Sequence, residues 1–521
     1  MRMGTQNTIT AEVSIIGAGP VGLLLAILLG LRGKRVVIAE RWPELYDRPR
    51  AVTMDAEVAR ILATLGIDVD HDPAFENHKE LYYWKNAALH DLQIVDWESL
   101  APCGWHVTYW FNQPEFETRL IEIVQTLPSV TLLRGWTAVS LQEDDRVTHV
   151  KLLDTETETS CIQLCAEFLV GADGANSFVR EHLGLTVVDK GYFFDWLILD
   201  MVPDASYRTS PAQWQLCDPK RPTTIVPGGP GRRRWEFMVL PTEDPVEIAK
   251  QESAWQLLEP WGLTPDNATI ERSAVYRFQA CWAKQWVKER CIIAGDAAHL
   301  MPPFAGEGMC AGLRDAVALG WRLNAILDGL VPQNVLESYE SERIAHVQHY
   351  IKFSQDLGEI ICIADDAAAS ARDKRMMAEL AERNYEPITG DLVKLGPGIW
   401  CREINGAGEL SPQGVVKYRG IKDRFDQAVG QGWFILAIEQ TSDGLLTHDQ
   451  LAKLESLKGS VLSIGVAGCD VISTDNTYID WMNKTNAAFS IIRPDFYVAA
   501  MAKTQEELRS RFDEIMNFLG V

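Results

Sequence analysis

The 521-residue sequence has no CxxC pair; its 10 cysteines lie far apart, and only Cys161 and Cys165 are close in the chain. Such spacing supplies neither a disulfide framework nor a zinc site, and it points to a reducing, cytoplasmic compartment. Basic residues are in deficit, 49 against 72 acidic ones, for a net charge of -23. An excess of that size argues against nucleic acid or an anionic membrane as a partner and leaves small molecules. No run approaches the roughly 20 apolar residues of a membrane span. One stretch, Val21 to Leu31, imitates a signal-peptide core, but a strand (Val13 to Ile16) and a glycine turn stand where a basic start is required. Also missing are HExxH, GxSxG, a second GxGxxG, any internal repeat and any low-complexity tract. The chemistry those motifs carry is not expected, and neither is a metal.

What is present begins with strand, turn, helix, strand: EVSIIGAGP, VGLLLAILLGLRG, KRVVIAE. This is a βαβ unit. In GAGPVG, Gly17 permits the tight turn, Gly19 lets backbone approach a pyrophosphate, and Gly22 lets helix pack on strand. The helix N-terminus then favours phosphate without a lysine. Glu40, 18 residues after Gly22, ends the second strand and can accept ribose hydroxyls; Arg41 beside it is a further candidate. The turn leaves FAD and NAD both open.

At this length two or three domains are expected. Residues 76 to 110 alternate aromatic and polar positions, which suggests antiparallel strands, and a helix follows over Pro114 to Thr126. A second strand-rich stretch, 186 to 275, carries the turn signal VPGGPGRRR, and the two stretches can share one sheet. The chain reads as helical from Pro303 to about 400. An α/β pattern then resumes, with WFILAIE, SVLSIGVAG and AAFSIIRPDFYV as strands and Thr504 to Leu519 as a closing helix.

Two later segments, GADGANSFVR from Gly171 and CIIAGDAAHLMPPFAGEGMCAGLRDA from Cys291, together with the first turn, resemble group A flavin monooxygenases. The likeness covers essentially the whole chain and is nearest the 3-(3-hydroxyphenyl)propionate hydroxylase branch. It implies an α/β fold: a Rossmann-like FAD-binding domain (1–75, 111–185, 276–400) interleaved with a mainly β substrate domain (76–110, 186–275). A thioredoxin-like C-terminal domain (405–521) follows, in which Cys469 is the only cysteine and Arg493 and Pro494 match a proline loop. That domain is expected to be structural or dimer-forming.

The same resemblance implies tightly but non-covalently held FAD. Asp296 falls on the acid that binds the ribityl chain, with helix capping as its other reading. Asp173 and Gly174 fall near the pyrophosphate with Arg180 in support, although Asp173 can instead fix a turn. Pro303, Gly306, Gly308 and Met309 fall beside the isoalloxazine ring. Gln113 matches a flavin-contacting glutamine, and either Arg48 or Arg50 matches a mobile arginine; a surface salt bridge is the alternative for both arginines. His299 reads as motif-supporting. The sequence departs from the family at Glu307, where glutamine is usual, and at Gln279, where relatives often have histidine.

The implied chemistry uses NAD(P)H to reduce FAD and O2 to form a flavin C4a-hydroperoxide that hydroxylates a phenolic ring. Tyr276 and Gln279 are the candidates for handling the phenolic proton. Two other readings stand beside it: a same-fold epoxidase or Baeyer-Villiger oxygenase, and a flavin-binding sensor or assembly protein without turnover. The implied partners are an aromatic substrate, O2 and NAD(P)H, with a homodimer as the oligomeric expectation.

Overall fold

The computed structural model describes residues 7–191, 194–208, 211–390 and 393–521. Residues 1–6, 192, 193, 209, 210, 391 and 392, which the expected domain ranges include, lie outside the described residues. Strand Asn7–Ile16 pairs in parallel with Val36–Glu40 on one side and Cys161–Gly171 on the other. Val13, Ile15 and Ile16 are buried, as a parallel strand covered on both faces requires. Helix Pro20–Gly30 is apolar on every side and buried on nearly all of them. It is therefore an interior helix, packed against helix Gly308–Leu327. A Cβ at Gly312 would sit 2.7 Å from a Val21 methyl, so only glycine permits this approach. Each fully buried Leu or Ile of the helix contributes about 1.5–3 kcal/mol.

The two aromatic-rich stretches do share a sheet. Its seven strands run in the order Ala268–Phe278, Phe194–Pro203, Arg233–Met238, Thr223–Pro227, Trp214–Cys217, Tyr82–Asn86, Asp91–Val95. Side chains alternate between its faces. Leu197, Leu199, Trp235 and Phe237 pack on one side against helices Pro245–Ile248 and Gln251–Leu258. Ile198, Thr224 and Glu236 face the other way, into a cavity. Strand Thr108–Phe111 departs from the expectation: it is buried on both faces and pairs instead with Thr53–Asp55 and Phe75–Glu76.

Helices Gly308–Leu327, Leu336–Ile361 and Asp366–Glu382 follow. The last sheet also has seven strands, of which Phe434–Ile438, Ser460–Gly465 and Val471–Ser473 are parallel neighbours. AAFSIIRPDFYV is not one strand but two, Phe489–Ile492 and Val498–Ala502, paired antiparallel. Pro494 has no amide for a ladder, and Phe496 adopts φ 70°, so the chain turns there. Helix Gln505–Leu519 closes the chain with Thr504 as its N-cap. This part is riveted to the rest by buried ion pairs, Arg60 to Asp426 at 2.6 Å and Arg493 to Glu342 at 2.7 Å, and Glu342 is also held by Arg322 at 2.7 Å. Among the described residues no helix is long and apolar enough to cross a membrane.

Candidate cofactor and substrate site

A cavity of about 1870 Å³ runs from the first glycine turn to the inner face of the seven-stranded sheet. Ligand pockets are commonly about 300–1,000 Å³, so this one has room for a large cofactor and a second molecule together.

At its first end Gly17 has φ 104°, and a Cβ there would lie 2.3 Å from the Ala172 carbonyl. A Cβ on Gly22 would lie 2.1 Å from the Gly17 carbonyl, whereas one on Gly19 would meet nothing within 4 Å. Gly17 and Gly22 are thus required by the protein itself, and Gly19 faces open space in the cavity wall. No side chain caps helix Pro20–Gly30, which leaves its first amides for an anion. Glu40 holds the turn: it accepts from the Ala18 amide at 2.8 Å and the Trp42 amide at 3.0 Å. Arg41 lines the cavity and stacks over Trp42.

Gln113 fixes the arginine loop. Its carbonyl oxygen accepts from the Ala51 amide at 2.8 Å and the Arg50 amide at 3.3 Å, and its amide donates to Glu117 at 2.6 Å. Arg50 lines the cavity and pairs with Glu117 at 3.2 Å. Arg48 does not line it and lies 3.9 Å from Asp47, so only one of the two arginines is placed to meet a ligand.

The second and third motifs interlock. Asp173 accepts from the Ser177 hydroxyl and the Val179 amide, so it fixes the turn while lining the cavity, and burial raises its pKa against the pull of Ser177. Arg180 donates to Ala297 O at 2.9 Å and Ala175 O at 2.8 Å, which ties the two segments together. His299 lines the cavity, pairs with Asp315 at 2.8 Å and stacks on Trp286. Asp315 also accepts from Arg343 at 2.7 Å and the Gly295 amide at 3.0 Å.

Asp296 differs from these. It lies inside the short helical turn Gly295–Ala297 and does not cap it. Among the described residues no group hydrogen-bonds its carboxylate. It is exposed and lines the cavity, and burial by the surrounding protein raises its pKa while His299 and Arg50 oppose the rise.

Pro303, Gly306, Gly308 and Met309 all line the cavity. The Gly306 amide is spent on Pro303 O at 2.8 Å. Gly308 and Met309, in contrast, begin helix Gly308–Leu327, where no side chain caps the free amides. Glu307 turns away from a purely solvated role: Arg314 donates to it at 2.9 Å, to Glu57 at 2.6 Å and to Asp55. Burial and the neighbouring Asp55 push Glu307 up to about 8, with Arg314 opposing. Asp55, Glu307 and Cys310 bring ligand atoms within 4.8 Å of one another, but Arg314 already binds both carboxylates.

Tyr276 is 37% exposed, lines the cavity and lies under Arg272 at 4.6 Å. Gln279 is exposed and does not line the cavity, so it is not placed to take a substrate proton. The sequence reading missed Glu236. A signal was available: Arg234 and Glu236 alternate with Trp235 and Phe237, and so put charge on a buried face.

Comparison with known proteins agrees with this geometry. Residues 10–354 match the model of the FAD binding domain family, and residues 408–514 match the HcaD C-terminal domain. A probable NADH-specific resorcinol 4-hydroxylase of Rhodococcus jostii (strain RHA1) is 33% identical over 97% of this chain and 94% of its own. A 3-(3-hydroxy-phenyl)propionate/3-hydroxycinnamic acid hydroxylase of Burkholderia vietnamiensis is 30% identical over 96% of this chain and 95% of its own. Among solved structures, the aklavinone-11 hydroxylase complex with FAD and aklavinone shares the fold. Its TM-score is 0.76 at 20% identity, over 99% of this chain and 100% of that one. The flavin-dependent monooxygenase PieE gives 0.78 at 19% identity, over 98% and 99%. The glycine cradle, the unpaired Asp296 carboxylate and the volume all fit FAD, and the chain belongs to the FAD binding domain family of flavin-dependent aromatic hydroxylases.

Proposed function

We propose that this chain hydroxylates a phenolic ring in the aromatic-walled part of the cavity, with NADH as electron donor. FAD, when bound, supplies the electron transfer from the nicotinamide and the activation of O2. The protein's own residues bind, orient and enclose. The Gly17 to Gly22 turn and the start of helix Pro20–Gly30 receive the pyrophosphate, and Glu40 receives a ribose. Asp296 receives the ribityl hydroxyls. The uncapped amides of Gly308 and Met309 would hold the flavin ring, where donors fixed in advance would stabilise the charge it gains on reduction. Trp97, Trp110, Phe278 and Phe304 line the cavity and exclude water from the reacting ring.

The observation that carries this reading is Asp296, whose carboxylate has no hydrogen-bond partner among the described residues and lies on the same cavity as the glycine turn and the aromatic wall. The names of the two relatives support a phenolic substrate, and one supports NADH. The division into interleaved cofactor and substrate domains is our reading of the two N-terminal sheets. For residues 405–521 we read a thioredoxin-like appendage without redox cysteines, structural or dimer-forming, in a cytoplasmic protein. The test is whether the purified protein carries FAD and whether a panel of phenols accelerates its oxidation of NADH. A protein that takes up no FAD, or that no phenol stimulates, contradicts the proposal.

A further inference from the structure

The inner face of the seven-stranded sheet carries a polar row between aromatic walls and the charged cluster of Arg234, Asp200 and Arg272. Glu236 is registered opposite Ile198 on one side and Thr224 on the other, Thr224 opposite Gln215, and Gln215 opposite Trp84. Glu236, Thr224 and Gln215 therefore stand abreast on adjacent strands. Thr224 donates to Gln215 Oε1 at 2.7 Å, and the Tyr82 hydroxyl lies 3.4 Å from the same oxygen. All four polar side chains line the cavity. Above and beside them are flat apolar walls. Trp97 stacks on Tyr82 with centroids 4.1 Å apart, while Phe304 meets Trp196 and Phe278 edge-on at 5.5 and 5.7 Å.

Glu236 is the anomaly of this row. Its side chain is 12% exposed, and among the described residues no donor hydrogen-bonds its carboxylate. The nearest cation, Arg234, is 3.7 Å away and gives Nε to Asp200 at 2.7 Å and Nη1 to the Arg50 carbonyl at 2.8 Å, while its buried Nη2 has no hydrogen-bond partner among the described residues. Arg272, on the strand beyond, is likewise spent on the Pro49 carbonyl and lies 3.7 Å from Asp200. The titratable and charged groups facing Glu236 are thus Arg234 on its own strand, Asp200 on the next, and Tyr82 across the sheet. Burial, opposed by Arg234 and aided by Asp200, brings Glu236 to about 7. Such a group takes up a proton readily near neutral pH.

We propose that Glu236 is the base that accepts the phenolic proton, and that its slot selects uncharged rings bearing two hydroxyls over rings bearing a carboxylate. The proposal rests on the hydroxylase reading above. In the step, the ring O–H bond breaks, the proton passes to a Glu236 carboxylate oxygen, and the electron pair stays on the phenolate oxygen. Nothing is oxidised or reduced. The second hydroxyl meets the Thr224 and Tyr82 hydroxyls along the row. A carboxylate on the ring would face the Glu236 carboxylate, and Arg234, the nearest cation, already gives two of its three nitrogens to Asp200 and the Arg50 carbonyl. Arg383, which donates to Gln93 at 2.8 Å, belongs to the outermost strand's edge. That is four strands away, about 19 Å at roughly 4.8 Å per strand, beyond the reach of a short side chain on the same ring.

The test uses FAD-loaded wild type, Glu236→Gln and Glu236→Asp, with FAD content as the measure of folding. Binding of 4-nitrophenol is followed by difference spectroscopy, because its phenolate is coloured and its phenol is not. Wild type should show the phenolate band at neutral pH. The Gln variant should bind without the band, and the Asp variant should regain part of it. With resorcinol, hydroxylation by the Gln variant should fall about 100-fold or more and recover as pH rises. Wild type should prefer resorcinol to 3-(3-hydroxyphenyl)propionate, and the Gln variant should narrow that preference. An unchanged phenolate band in Glu236→Gln overturns the base, and a wild-type preference for the propionate overturns the selectivity. A wild type that ionises nitrophenol yet hydroxylates no phenol leaves Glu236 standing and overturns the hydroxylase reading instead.

Discussion

Arg314 donates to Glu307 at 2.9 Å while also holding Glu57 and Asp55, so one buried cation answers three carboxylates. Burial first, and then the neighbouring charges of Asp55 and Glu57, raise Glu307 to about 8 against the pull of Arg314. A protonated glutamic acid is neutral and close in shape to glutamine, with one O–H donor where glutamine has two N–H donors. The raised value favours the neutral form of the residue that departs from the expected glutamine.

The sign of the pH effect follows. Glu307 has a folded pKa above its unfolded value, so its contribution is complete below the ordinary carboxylate range and is lost as pH rises through about 8. Thermal unfolding of wild type should weaken across that window, by at most about 1.4 kcal/mol per pH unit. Glu307→Gln should remove that slope. An identical slope in the variant would show that Glu307 is not the proton carrier.

Gly19→Ala and Gly22→Ala should behave differently. The Gly22 Cβ collides with backbone at 2.1 Å, so this variant should lose both stability and FAD. The Gly19 Cβ meets no protein atom, so that variant should keep its melting temperature without cofactor and bind FAD at least about 10-fold more weakly, roughly 1.4 kcal/mol. Equal loss of stability in both would mean that the turn serves packing alone.

Asp296→Ala should cost FAD affinity without destabilising the apo-protein, because the carboxylate makes no hydrogen bond to the described protein residues. A capping aspartate would instead lose about 1 kcal/mol of stability on the same change. Isothermal titration with FAD, paired with thermal melts of the apo forms, separates the two.

Glu342 is buried between Arg493 and Arg322, and although burial opposes its charge, the two arginines hold it down to about 2. Its stabilisation is present above the ordinary carboxylate range and lost as pH falls towards that value. Glu342→Ala leaves two buried guanidinium groups without this partner and should cost about 3–5 kcal/mol. Limited proteolysis should then release the C-terminal part first. Unchanged melting and proteolysis would deny the cluster its role as a rivet.

The cofactor end of the cavity was legible because its parts are local in sequence. Gly17, Gly19 and Gly22 sit in one turn, and Asp296 and Gly308 flank one loop. The loop-fixing role of Gln113 was not legible, since it depends on where Ala51 comes to rest. The Arg314 cluster draws Asp55 and Glu57 from far along the chain, and no spacing announces it. Gln279 was read by position relative to the third motif, but strand Ala268–Phe278 ends just before it and leaves it outside the cavity. Alternation along RRWEFM did contain Glu236, yet a period of two does not say which face looks onto a ligand.

The most direct test of the central claim is single-turnover oxidation of resorcinol by the FAD-loaded protein with NADH and isotope-labelled O2. The account predicts that the phenol accelerates flavin reduction at least about 10-fold and that the ring product carries one labelled oxygen atom. NADH oxidation that no phenol accelerates, with all the labelled oxygen recovered in peroxide or water, would contradict it.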